Sequence, residues 1–238
     1  MQEGNVMCGR LNVSDDPFVT QLLLDLGIEN PKENMHFGRF KRATDIISIV
    51  TEKNGKRQLI PATWWLLLES TETGFKPSKY TSFNSRYDKL NVPGSAAYKP
   101  FRESRCVIVT KGFGETEFRD KKPLHYHDFE AVEGALALGG LYKEWQHKGT
   151  GEIIYSCSVI TLPAHDKIKP YHSKASPLML PQQDNTIDLW LDEHNQQVAM
   201  FNDLLQPKLH QALNVYPIDK PSSYLPIGES NKVERDIA

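Results

Sequence analysis

Apolar and polar positions along the chain fall mainly into short strand-like runs. Ile46-Ile47-Ser48-Ile49-Val50-Thr51 is β-branched, and Lys53-Asn54-Gly55-Lys56 behind it is an Asn-Gly hairpin turn. The return strand is expected through Gln58-Leu59-Ile60, with Pro61 as a break. In the next apolar segment, Ala62 to Leu68, Trp64 and Trp65 are adjacent, so on a strand one faces the core and the other the opposite side. Arg105 to Thr110 is a further strand, ending in Lys111-Gly112-Phe113-Gly114-Glu115, a glycine-flexed corner able to aim Glu115 into a cleft. Ala135 to Tyr142 reads as a buried central strand, with Glu152 to Thr161 as its neighbour. Leu178-Met179-Leu180 and Leu213 to Tyr216 follow as strands. Cys106 and Cys157, inside β runs, are expected in the core. Helical signals are fewer. Asp16, Pro17 and Gly27 cap, open and stop a helix over Phe18–Leu26, and Val198, Phe201, Leu204 and Leu205 carry helical spacing. Pro163 to His172 reads as a short helix or turn, and the Pro/Ser-rich, charged tail beyond Pro217 is expected to be mobile.

Composition narrows the class. The 238 residues, 39% hydrophobic and 24% charged, describe a soluble globule with a proper core, as one large domain or two small ones. No apolar run approaches the roughly 20 residues of a membrane span, and the N-terminus lacks a signal-peptide pattern. Three scattered cysteines fit a reducing cytosol, so the expected location is cytoplasmic, with nucleoid association if the source is bacterial. The net charge of −2 excludes a globally polyanion-binding surface, but its distribution is uneven. Residues 1–119 hold 17 Lys/Arg against 14 Asp/Glu, and residues 120–238 hold 11 against 16. A nucleic-acid site would be a local basic groove fed mainly from the first half.

The chemistry centres on Met7-Cys8-Gly9-Arg10. If Met7 is removed, Cys8 presents a free α-amine beside its thiol. Such an aminothiol condenses with an aldehyde through an imine and then closes a thiazolidine ring. Asn84 and Arg86, two apart on an extended backbone, project from one face and suit a phosphate or an oxyanion. Gly38-Arg39-Phe40-Lys41-Arg42 interleaves cations with a ring, which reads as a solvated loop or as an edge for a backbone-plus-base ligand. His172 is a candidate acid/base. His125-x-His127 has metal-type spacing without a clear third and fourth ligand, so neither a metal nor a cofactor is expected. No P-loop, dinucleotide fingerprint or Gly-x-Ser-x-Gly elbow is present.

Met7-Cys8-Gly9-Arg10, Phe83-Asn84-Ser85-Arg86, Gly112-Phe113-x-Glu115 and Tyr171-His172-Ser173-Lys174, in this order, resemble the SOS-response-associated peptidase family. The resemblance implies a single α+β domain over residues 8–217, built on a strongly bent, mostly antiparallel, barrel-like sheet with peripheral helices. It also implies that residues 1–7 are a leader to be removed, or that translation starts at Met7. The implied partner is single-stranded DNA containing abasic sites, trapped by a monomer as a covalent crosslink with an associated peptidase and lyase-like activity. Cys8 supplies amine and thiol, Asn84 orients, Glu115 relays protons and His172 helps open the abasic sugar. Arg10, Arg86, Lys174, Arg102, Trp65 and Phe113 are the expected DNA-facing set.

The chain also departs from the family pattern. Gly112-Phe113-Gly114-Glu115-Thr116 stands where Gly-Phe-Tyr-Glu-Trp is usual, which removes a tryptophan that wedges against a base. Trp64-Trp65-Leu66-Leu67-Leu68 replaces Trp-Gly-Leu-Ile-Pro, and Lys174 replaces an arginine, a weaker phosphate fork. Two other readings use the same residues: an N-terminal-nucleophile amidohydrolase in which Cys8 attacks amides, and a non-catalytic single-strand-binding module.

Overall fold

A computed structural model describes residues 9–237; Cys8 and the seven residues before it lie outside the described part. Strand β1 (Arg10–Val13) leads into helix α1 (Pro17–Asp25), followed by β2 (Gly38–Arg42) and the hairpin of β3 (Ile46–Lys53) and β4 (Lys56–Thr63). A small ribbon of β5 (Leu68–Ser70) and β6 (Phe75–Pro77) precedes the short β7 (Asn84–Arg86) and α2 (Tyr98–Glu103). Next come β8 (Arg105–Thr110), β9 (Gly112–Arg119), β10 (Lys122–Ala131), β11 (Leu136–Gln146) and β12 (Ile153–Pro163). The chain ends with β13 (Ala175–Pro177), α3 (Thr186–Leu191), β14 (Leu213–Ile218) and β15 (Asn231–Val233).

Strands β11, β8, β3, β4 and β12 pair in that order, and β12 pairs back onto β11, closing a five-stranded barrel. Closure removes the exposed edges that an open sheet would present. Ile47, Ile49, Val50, Val107, Ile108, Val159 and Ile160 are fully buried in it. Local chemistry explains its parts. Asn54 and Gly55 take φ of 55° and 68°, the left-handed pair that a two-residue hairpin needs. Asp16 caps α1 by accepting from Phe18 N at 2.8 Å, and Val19, Leu22 and Leu23 bury that helix on β8. Cys106 and Cys157 are both buried in the barrel wall, and burial pushes both thiols up. The fold is therefore the expected α+β, barrel-like one. No helix among the described residues is long and apolar enough to cross a membrane.

Three local expectations are corrected. Pro61 does not break its strand, because β4 pairs fully with β3 on one side but meets β12 only at Thr63 on the other, leaving the proline room at an exposed position. The strand expected at Leu178–Leu180 lies earlier, at Ala175–Pro177, with Met179 making a single bridge to Leu138. The segment beyond Pro217, expected to be mobile, is tied to the body. β15 pairs with β14, and the Asp236 carboxylate accepts from Leu209 N at 2.9 Å and Lys167 Nζ at 2.7 Å, with His165 Nε2 2.9 Å away. Burial alone would raise the Asp236 pKa, but these partners overrule it and hold it at about 2.

The second sheet has the order β15-β14-β10-β9-β1-β2. It bends tightly at β9, where a Cβ on Gly112 would come within 2.0 Å of the Phe129 carbonyl oxygen. Only the absence of a side chain allows that approach. Gly112→Ala is expected to destabilise the protein by about 3 kcal/mol, the upper range for overpacking a tight site, as read from urea unfolding. A change below about 0.5 kcal/mol would show that the bend relaxes at no cost.

Candidate active site

Alternation along β9 divides its side chains between two faces. Phe113, Glu115 and Glu117 share one face and lie opposite Phe129, His127 and His125 of β10. Phe113 and Phe129 stack in the core at 4.8 Å with their planes 3° apart, so this face runs from apolar core to polar rim. The turn after β12 then lays His172 over the two glutamates. His172 Nε2 is 3.6 Å from Glu115 Oε2, and its Nδ1 is 3.4 Å from Glu117 Oε2. Both Glu115 and His172 are almost wholly buried. Glu117 accepts from Ser173 N at 2.9 Å and Ser173 Oγ at 2.8 Å. Burial would raise the Glu117 pKa, but these bonds and the neighbouring His172 outweigh it and lower the value. For His172 burial wins instead. It pulls the pKa down to about 4 despite the attraction of Glu117, so the imidazole is neutral at pH 7. His127, half-buried and beside His125, is likewise pulled down to about 4, chiefly by its removal from water.

The opposite face carries Gly112, Gly114 and Thr116 between Asn12 and Arg10 of β1 and Glu130, Asp128 and Tyr126 of β10. A Cβ on Gly114 would meet Arg10 Nε at 2.5 Å, so the guanidinium lies in the space that this glycine leaves. It donates to Thr116 Oγ1 at 2.7 Å and to the Glu115 carbonyl at 2.8 Å. Gly114 and Thr116, two of the departures from the usual motif, are thus the residues that house Arg10. Arg39 of β2 reaches over the curl to ion-pair with the buried Asp128 and lies 3.3 Å from Glu130. Burial raises the Asp128 pKa to about 7, the Arg39 charge offsetting only part of that effect.

The remaining expected residues separate into groups. Asn84, half-buried on β7, pairs alongside Val159 of β12. Phe83 before it and Gly9, which follows Cys8 in sequence, line one 520 Å³ cavity with Arg10, Arg42 and Ala43. Arg86 and Lys174, both exposed, border a second cleft of 220 Å³ together with Tyr87 and Thr161. The Thr161 hydroxyl there is buried without a hydrogen-bond partner among the described residues. Arg86 forks onto Asp88 through two 3.0 Å bonds, an exposed pairing weak enough to be exchanged for another anion. Trp65 is half-buried against Phe83 at 5.7 Å and Trp64 fully buried against the same ring at 5.9 Å; both lie just beyond the end of β4, not on the strand expected to point them to opposite faces.

Three expected DNA-facing residues are corrected. Phe113 is fully buried by its stacking on Phe129. Arg102 lies flat on Tyr98 at 3.8 Å and donates to the Leu90 and Tyr98 carbonyls and to Asn91, so its guanidinium braces a loop. Arg10 is only 7% exposed, with its donors turned into the sheet. Sequence reasoning also missed Glu117 and Thr161. Glu117 had a signal, since a residue two beyond Glu115 on a strand shares its face. Thr161 had none.

A family model described as SOS response associated peptidase (SRAP) matches residues 7–221. The chain belongs to the SRAP family. A family relative, the abasic site processing protein YoaM of Bacillus subtilis, is 23% identical over 223 residues, 89% of this chain and 91% of its own. The abasic site processing protein HMCES of Xenopus tropicalis is 23% identical over 160 residues, 59% of this chain. That match spans only about half (47%) of the frog protein's length. A crystal structure of a protein from Bacteroides thetaiotaomicron superposes with a TM-score of 0.68 at 17% identity, covering 90% of this chain and 93% of that one, which shows a shared fold.

The buried histidines make stability fall in acid. A pKa depressed from 6.5 to about 4 gives stabilisation that is complete above 6.5 and lost as pH drops towards 4. Asp128 acts in the opposite sense, its raised pKa giving stability present below the ordinary carboxylate range and lost as pH rises through about 7. His172→Gln is expected to remove on the order of 2 kcal/mol of the wild-type loss between pH 7 and 4.5, as measured by urea unfolding at both pH values. An unchanged slope would show that His172 titrates normally.

Proposed function

We propose that the protein binds single-stranded DNA and captures abasic sites covalently through Cys8, once the Met7–Cys8 peptide bond has been hydrolysed. The buried contact between Glu115 and His172 carries this reading, because it puts a proton-exchanging pair on the sheet face next to the strand that follows Cys8. The family relatives named abasic site processing proteins support the substrate.

In the proposed sequence, neutral His172 takes the proton of the anomeric hydroxyl and returns it to the ring oxygen as the bond between that oxygen and the anomeric carbon breaks and the abasic sugar opens to its aldehyde. The Cys8 α-amine adds to the aldehyde carbon and its two N–H protons pass, relayed by Glu115, to the former aldehyde oxygen, which leaves as water. The Cys8 sulfur then attacks the imine carbon and the nitrogen takes a proton, closing the thiazolidine with loss of one water overall. Asn84 orients the amine or the sugar. Arg86 and Lys174, in the cleft also lined by Thr161, whose hydroxyl has no partner among the described residues, hold a neighbouring phosphodiester. No metal or other cofactor enters this scheme.

The test is crosslinking to an abasic single strand, resolved by denaturing gel and intact mass. Wild type is expected to gain the DNA mass less one water on a chain beginning at Cys8. Glu115→Gln keeps shape but cannot exchange a proton, so its crosslinking rate should fall by about 10²–10⁴ with little change in affinity for intact strands. A Glu115→Gln protein that crosslinks at the wild-type rate, or a crosslinked chain that retains Met7, would overturn the scheme. Arg86→Ala and Lys174→Ala should each flatten the salt dependence of single-strand binding by about one charge. An unaltered slope in both would move the phosphate contact elsewhere.

A further inference from the structure

The second sheet carries a feature that the crosslinking scheme leaves unused. Rings and guanidinium groups alternate across its curled face in the order Tyr126, Arg10, Phe40, Arg39, Tyr224. The Arg10 guanidinium carbon lies 5.9 Å from the Tyr126 ring centre and 5.2 Å from that of Phe40. Arg39 lies 5.5 Å from Phe40 and 5.7 Å from Tyr224, and Phe40 meets Tyr224 edge-on at 5.2 Å. All three rings are half-buried and keep part of their surface open to solvent.

We propose that this ladder is a nucleobase-stacking site for unpaired bases of the DNA strand, a proposal that rests on the single-stranded DNA reading above. Charge decides for a base over a phosphate. Arg39 already has its guanidinium paired with Asp128 and Glu130, and Arg10 spends donors on Thr116 and the Glu115 carbonyl. Both guanidinium groups therefore have edges turned into the protein; the almost wholly buried Arg10 holds the Tyr126 and Phe40 rings apart, and the stacking surface is offered by the half-exposed rings and the exposed Arg39. Stacking on aromatic and arginine planes suits any base and needs no free anion-binding edge. The 520 Å³ cavity beside Arg10, walled by Phe83, Ala43 and Pro221, falls within the roughly 300–1,000 Å³ range of small-molecule pockets. At its rim stands the exposed Arg42, a cation suited to the strand's backbone. Gly114 and Thr116 are part of the device, since a larger residue at 114 would displace Arg10 from between its rings.

The experiment compares two strands of equal length and phosphate charge by fluorescence anisotropy with the whole protein. One is an oligo-dA of about twelve nucleotides, within the usual site size; the other is the same backbone built of reduced, base-free tetrahydrofuran units. Neither can crosslink. Wild type is expected to bind oligo-dA roughly tenfold tighter or more, the scale of one stacked base. Phe40→Leu and Tyr224→Leu should each cut that ratio severalfold, with binding of the base-free strand reporting that the variant is folded. Equal wild-type affinity for the two strands would overturn the stacking site while leaving the DNA-binding reading intact, as would a ratio that survives in both variants. Failure of wild type to bind either strand would overturn the DNA-binding reading and the stacking site with it.

Discussion

The close approach of β9 to its neighbours is the constraint on which the site depends. Gly112 lets the Phe129 carbonyl come to a distance no side chain tolerates, and Gly114 does the same for the Arg10 guanidinium. With two bare positions among the first three residues of β9, the sheet can fold over itself, and residues from β2 and β10 that would lie three strands apart meet as an ion pair. The bend also sets the two faces of β9 against different surroundings. One closes over the core and ends at Glu115; the other is open enough for Arg10 and its rings.

Burial, more than pairing, governs the charges of this region. His172 lies within 3.6 Å of two carboxylates and still has its pKa drawn down, and Asp128 faces an arginine and still has its pKa drawn up. In each case removal from water costs the charged form more than the partner returns. Glu117 escapes because Ser173 gives it two hydrogen bonds at the rim. The outcome at neutral pH is a neutral imidazole between an ionised carboxylate and a buried one, an arrangement suited to moving protons and poorly suited to holding anions. The exposed cations Arg86 and Lys174 lie apart from it, on the separate cleft.

Much of the fold was legible because it follows from nearest neighbours in the chain. The Asn54-Gly55 turn, the Asp16 cap and the burial of Cys106 and Cys157 each need only local rules. What could not be read is register. Phe113 between two glycines looks like an exposed ring until β10 brings Phe129 against it. Arg102 reads as a free cation until its helix brings Tyr98 beneath it, and Arg10 as a phosphate ligand until Gly114 gives it a place to lie. The docking of the tail depends on Asp236 meeting Leu209, His165 and Lys167, residues 27 or more positions away that no local pattern links. The motif elements Glu115 and His172 were visible singly, but their contact comes from the turn after β12.

The sealed barrel wall has a practical side. Cys106 and Cys157 are fully buried with thiols pushed to high pKa, so neither offers a thiolate to electrophiles or mild oxidants while the fold is intact. The chain has only three cysteines. Any alkylation of the native protein is thus a reading of one address, residue 8, against a silent background. Two further equivalents appearing on warming would count molecules whose barrel has opened, making the thiols a built-in unfolding clock.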